Sequence, residues 1–126
     1  MTVTIGSNIL NVKWDSFRES REFFGFEWTR WNKTAGKIEP NHKAFGWIGI
    51  WEFTAFEDAQ AVPWSSSAAL ALRGYVDNGV TLPITITAGT KHSAPVGQYV
   101  NVESVSDTWY GAGLKTRYFN VKVRAA

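Results

Sequence analysis

Apolar and polar residues alternate with a period of two along most of this chain, the signature of β-strands, and Gly, Asn and Pro interrupt the alternation at turns. Val3-Thr4-Ile5, Gly6-Ser7-Asn8 and Ile9-Leu10-Asn11-Val12 predict a strand, a tight turn and a second strand. Residues 13–22 are polar with two rings and have no clean period, which predicts a loop or an irregular edge strand. Phe23 to Trp31 predicts a strand with Phe24, Phe26 and Trp28 on one face. Residues 32–43 are polar and turn-rich, and predict a surface loop. From Ala44 to Ala55 the pattern doubles. Phe45, Trp47, Gly49, Trp51 and Phe53 share one face, while Ile48 and Ile50 make the centre of the other apolar as well. A strand apolar on both faces is normally covered on both, and in a small domain one cover can come from another chain.

Helical periodicity occurs once. Trp64-Ser65-Ser66-Ser67 offers N-cap hydroxyls, residues 68–73 are strong helix formers, and Ala69, Leu72 and Val76 make an apolar stripe. Asn78-Gly79 supplies the left-handed position that ends such a helix, so it is expected over about 65–78. Alternation then resumes. Val80, Leu82, Ile84 and Ile86 mark a strand whose Pro83 requires an edge or an interrupted partner. Residues 88–96 predict a turn region. Gln98 to Val105 is expected as a strand with Val100, Val102 and Ser104 on one face. Ser106 to Gly113 predicts a loop tipped by Trp109 and Tyr110. Phe119, Val121 and Val123 mark the inner face of a last strand. The expected fold is mainly β: an antiparallel sandwich or bent sheet of about six or seven strands with one short helix. A length of 126 residues suits a single domain, with residues 13–43 as a possible interface arm.

Composition narrows the chemistry. There is no Cys, so disulfides, thiolate nucleophiles and Cys-based metal sites are excluded, and only two His are present. A formal net charge of +2 is too weak to point to nucleic acid, and Glu19, Glu22 and Glu27 sit among the arginines that would have to form a basic groove. No apolar run is long enough to cross a membrane, and the first residues lack the pattern of a signal peptide.

Catalytic constellations are weak. Ser104, Asp107 and His92 could be written as a triad, but there is no nucleophile elbow. Glu52 and Glu57 lie near the tryptophans as a glycosidase pair would, and the alternative is a rim carboxylate or a salt bridge with Arg or Lys. Phosphate-cradling glycine motifs are missing, and Asp58, Glu57 and His42 have no metal-ligand spacing. The chain is therefore expected to be non-enzymatic, without cofactor or metal.

The unusual quantity is the load of nineteen aromatic rings, twelve of which lie between Trp14 and Phe56. Part of the set is expected as core, namely Phe26, Trp47, Phe53 and Phe119. The rest fits a subunit interface or a sugar-stacking platform. The candidates are Arg18, Arg21, Trp28, Arg30, Trp31, Trp51, Trp109 and Tyr110, because interface cores are enriched in rings and Arg.

The pattern over residues 44–126 resembles a known family. A Trp-rich strand (Trp47-Ile48-Gly49-Ile50-Trp51-Glu52-Phe53) precedes the capped helix at Trp64–Leu70, then Val80-Thr81-Leu82-Pro83-Ile84. A strand of the Val102-Glu103-Ser104-Val105 type and a terminal alternating strand, Arg117 to Val123, complete it. This resembles small β-rich structural proteins of tailed bacteriophages, in the tail and baseplate region. The resemblance implies a virion component made in the host cytoplasm, whose partners are other virion proteins and copies of itself. It carries over no catalytic residue. The competing expectation is a glycan-binding β-sandwich module using exposed Trp and Tyr.

Overall fold

The computed structural model describes the backbone of every residue except Ala35 and 88–96, and the side chains of these residues except Trp14, 23–30, Asn32 and 38–47. The order is β1 (Thr2–Ile5), β2 (Asn8–Val12), β3 (Arg18–Asn32), β4 (Lys37–Asp58), α1 (Ala68–Asn78), β5 (Thr81–Thr87), β6 (Tyr99–Val105), β7 (Trp109–Tyr110) and β8 (Thr116–Ala125). The fold is mainly β with one short helix, as the alternation predicts, and the strands pair antiparallel throughout the described residues.

The sheet bends until it closes. β4 pairs with β2 through Asn11↔Phe56 and Val12↔Ala55, and with β8 from Ile50↔Arg124 to Asp58↔Thr116. The ladders β2–β1, β1–β5, β5–β6 and β6–β8 complete a ring of six strands. Closure removes the free edges that an open sheet would expose. Val3, Ile5, Leu10, Val12, Val100, Val102, Phe119, Val121 and Val123 are all buried in one core cluster. Small β-branched residues predominate, as the narrow interior of a small barrel requires.

α1 covers part of this core with Ala69 and Leu72, both fully buried, and Val76 packs beside them. Its start lies later than expected. Trp64–Ser66 forms a separate 3-10 turn, and Ser67 is the N-cap, its hydroxyl accepting from the Ala69 N–H at 3.2 Å. Gly79, at φ +62°, closes the other end through bonds to the Tyr75 and Val76 carbonyls.

Two local readings change, and a third is narrowed to one of its two alternatives. First, residues 32–43 are not a long loop: β3 runs to Asn32, β4 begins at Lys37, and of the described residues between them Lys33, Thr34 and Gly36 turn, with Gly36 at φ +67°. Pro40 is tolerated because β4 has a partner on one side only at that point, β8 reaching no further than Ile50. Second, β6 carries a bulge. Val102 opposes Val123 and Val105 opposes Val121, so Val105 rather than Ser104 packs toward the core. Third, Pro83 has an interrupted partner: the β1–β5 ladder ends at Ile5↔Ile84, one residue before it. The turn region expected at 88–96 lies outside the described residues.

β3 and the first part of β4 form a ribbon beyond the ring. β3 is the terminal strand of the sheet order and pairs with β4 alone, from Arg18↔Glu52 to Asn32↔Lys37. Its 15 residues span about 50 Å at roughly 3.4 Å per residue. Residues 13–22, read as a loop or edge strand, hold a 3-10 turn at Trp14–Ser16 and then the first stretch of this edge strand.

Phe119 is the largest of the fully buried side chains, so its truncation tests the closed core. Phe119→Ala is expected to lower unfolding free energy by about 3–5 kcal/mol in urea titration. A loss below about 1 kcal/mol would contradict this packing.

Candidate functional site

Opposed residues in antiparallel ladders share a face. The register Glu57↔Arg117↔Tyr110 therefore makes one row across β4, β8 and β7, and Phe56↔Tyr118↔Trp109 makes the adjoining row on the opposite face.

Arg117 begins the inward series that continues with Phe119, Val121 and Val123, and it is only 3% exposed. A buried guanidinium needs a carboxylate and further acceptors. Its Nη1 donates to Glu57 Oε1 at 2.6 Å, its Nη2 to the Val62 carbonyl at 3.3 Å and its Nε to the Tyr110 hydroxyl at 3.4 Å. Glu57 also accepts from the Ser67 hydroxyl and from the Ala68 N–H at the start of α1. Burial alone would lower the Arg117 pKa. The hydrogen bonds to Glu57 and Tyr110 outweigh it and hold the pKa above the ordinary arginine value, so the group stays charged. The guanidinium carbon lies 5.4 Å from the Trp64 ring centroid and 5.8 Å from that of Tyr110, and Arg73 stands 5.6 Å from Trp64.

The opposite row is a ring stack. Trp109 lies 5.8 Å from Tyr118 at an interplanar angle of 17°, Tyr118 tilts against Phe56 at 6.4 Å, and Lys13 Nζ lies 5.7 Å from the Tyr118 ring centroid. Trp64, Trp109 and Tyr110 keep 40%, 43% and 45% of their surfaces exposed, leaving an aromatic rim at this end of the barrel.

A network of exposed charges joins the ribbon base to the barrel. Arg124 bonds Glu22 of β3 and Glu103 of β6, and these bonds, that to Glu22 foremost, raise its pKa. Lys122 reaches Glu103 at 3.6 Å and Glu52 at 3.8 Å. An open cleft of about 500 Å³ lies alongside, lined in part by Arg18, Glu52, Ser104, Asn120 and Lys122. Glu52 and Glu57 are thus both salt-bridged, one of the two alternatives to a glycosidase pair.

The eight candidates divide. Trp109 and Tyr110 join the barrel rim. Arg18 and Arg21 are exposed at the start of β3, and Trp31 is 59% exposed near its far end. The side chains of Trp28 and Arg30 lie outside the described residues, as do those of Phe26, Trp47 and His42, while His92 lies outside altogether. Trp51 is not a surface platform: it is 3% exposed and belongs to the core with Phe53, its Nε1 without a partner among the described residues. Closure by β8 at Trp51↔Val123 turns this face of β4 inward, and the indole folds back over Gly49, where a Cβ would come within 2.9 Å of a ring carbon.

Arg117, Trp64 and Tyr118 were missing from the candidates. A signal for Arg117 was present, because it stands two residues before Phe119 in the inward phase, where a charge is rare unless paired. Among the described residues, no helix is long and apolar enough to cross a membrane. No family model matches the sequence, and no curated protein matches it.

The Glu57–Arg117 pair carries a direct test. Glu57→Ala strands a buried guanidinium and removes a helix-start acceptor, so it is expected to cost about 3–5 kcal/mol in chemical denaturation. The double substitution Glu57→Met with Arg117→Met is expected to recover most of that loss. Equal destabilisation by both would mean that the pair itself is not the reason.

Proposed function

We propose that this chain is a non-enzymatic structural subunit of a bacteriophage virion, a tail or baseplate component that assembles with copies of itself and with other virion proteins. The observation that carries the reading is the β3–β4 ribbon. It extends past a barrel that already closes on itself, so the barrel does not need it for completion. An isolated two-stranded ribbon is at best marginally stable in water. This one concentrates apolar rings, including Phe24, Phe26, Trp28, Trp31, Phe45 and Trp47. Rings at this density on a projecting element suit contact with a neighbouring chain. The resemblance of residues 44–126 to phage tail and baseplate proteins supplies the setting.

A second reading rests on the barrel rim. Trp64, Trp109 and Tyr110 are partly exposed at one end, and such rings can stack on sugars. Light scattering after size exclusion separates the two. The structural reading predicts a defined assembly above the 14.1 kDa monomer, visible as discrete particles by electron microscopy. A monodisperse monomer that binds polysaccharide, and loses binding in Trp109→Ala, would favour the glycan module instead.

A further inference from the structure

The start of β3 reads Arg18-Glu19-Ser20-Arg21-Glu22, and all five residues are exposed. They lie on the terminal strand of the sheet, which pairs with β4 on one side only. Charges on an edge strand ordinarily guard it against pairing. They repel a second copy, however, only where like charges meet. This run is a charge palindrome. Laid antiparallel against itself with Ser20 opposite Ser20, it places Arg18 opposite Glu22 and Glu19 opposite Arg21, and the two-fold axis repeats both pairs. A shift of one residue puts Arg18 against Arg21 or Glu19 against Glu22. A shift of two puts Glu19 against Glu19 or Arg21 against Arg21. The run therefore selects one register among its neighbours and disfavours the others.

Resting on the reading of this chain as an assembling subunit, we infer that the β3 edge binds a second copy of the chain by antiparallel strand addition centred on Ser20. The interface is isologous, each copy contributing the same five residues. With Ser20 at the axis the two β3 strands overlap over residues 18–22, so the base of each ribbon gains a third strand in the order β4–β3–β3–β4, while residues 23–32 lie beyond the overlap. Glu22 already holds Arg124. A carboxylate has about four acceptor sites, so it can take the incoming Arg18 as well.

Two measurements on the full chain test this. The first is charge exchange, read by sedimentation velocity with far-UV circular dichroism as the folding control. Wild type is expected to dimerise. Arg18→Glu with Arg21→Glu makes the run wholly acidic, and Glu19→Arg with Glu22→Arg makes it wholly basic. Each variant alone is expected to dimerise on the order of a hundredfold or more weakly, and an equimolar mixture of the two to regain the dimer. The second uses the absence of Cys from the chain. Opposed residues in an antiparallel pair have Cα atoms roughly 4.5–5.5 Å apart, within disulfide range, so Ser20→Cys is expected to give a covalent dimer on mild oxidation. Arg18→Cys, which would face Glu22, is expected not to. If wild type assembles but neither charge reversal nor Ser20→Cys behaves this way, the register is wrong while the assembly reading stands. A wild type that stays monomeric at every concentration overturns both.

Discussion

A guanidinium on the inner face of a barrel strand has to be matched, and the match between Arg117 and Glu57 organises its surroundings. Desolvating an arginine costs several kcal/mol unless a carboxylate and further acceptors meet it. Here Glu57 of β4, the Val62 carbonyl and the Tyr110 hydroxyl of β7 do so. Because Glu57 also holds Ser67 and Ala68, the same carboxylate sets where α1 begins. A one-residue slip of β8 would move Arg117 to the outer face and bring Tyr118 and Asn120 inward. The pair therefore acts with Phe119, Val121 and Val123 to select a single register for the strand that closes the ring.

Closure and projection are the two halves of the fold, and β4 belongs to both. Its last residues carry β2 on one side and β8 on the other, while its earlier residues carry β3 alone. The barrel end then gathers Trp64, Trp109, Tyr110 and Tyr118 around the buried pair. The ribbon carries the ring-rich stretch of sequence outward. The ribbon and the rim are separate surfaces, so residues of one can be altered without touching the other.

Much of the fold was legible because it depends on local periodicity. The in-facing Phe119, Val121 and Val123, the stripe of Ala69 and Leu72, and Gly79 at the helix end all follow from spacing and backbone preference. What escaped depends on partners. The bulge in β6 moves Val105 inward, and no residue type announces it. Residues 37–43 look like a loop because of Pro40 and Asn41, yet a strand with one partner needs neither an apolar face nor an N–H at every position. Trp51 was grouped with surface rings because alternation shows which residues share a face but not which face the closing strand covers. Arg117 escapes for a related reason, since a charge in the inward phase becomes intelligible only once Glu57 is seen opposite it. Trp109 and Tyr110 are legible as a ring pair at a chain turn, but their neighbour Trp64 approaches through the fold and not through sequence.

The double duty of β4 has a mechanical side. A force applied to the ribbon along its length enters the barrel through the same strand of 22 residues, past the register shift between Phe24 and Gly25. It is resisted by the β4–β8 ladder, whose nine opposed pairs lie across the direction of pull and are loaded in shear. Hydrogen bonds loaded in this shearing direction share the strain and must fail together, whereas bonds loaded across the strands would open one by one. A chain held by its ribbon would thus pass tension into the longest ladder of its own barrel.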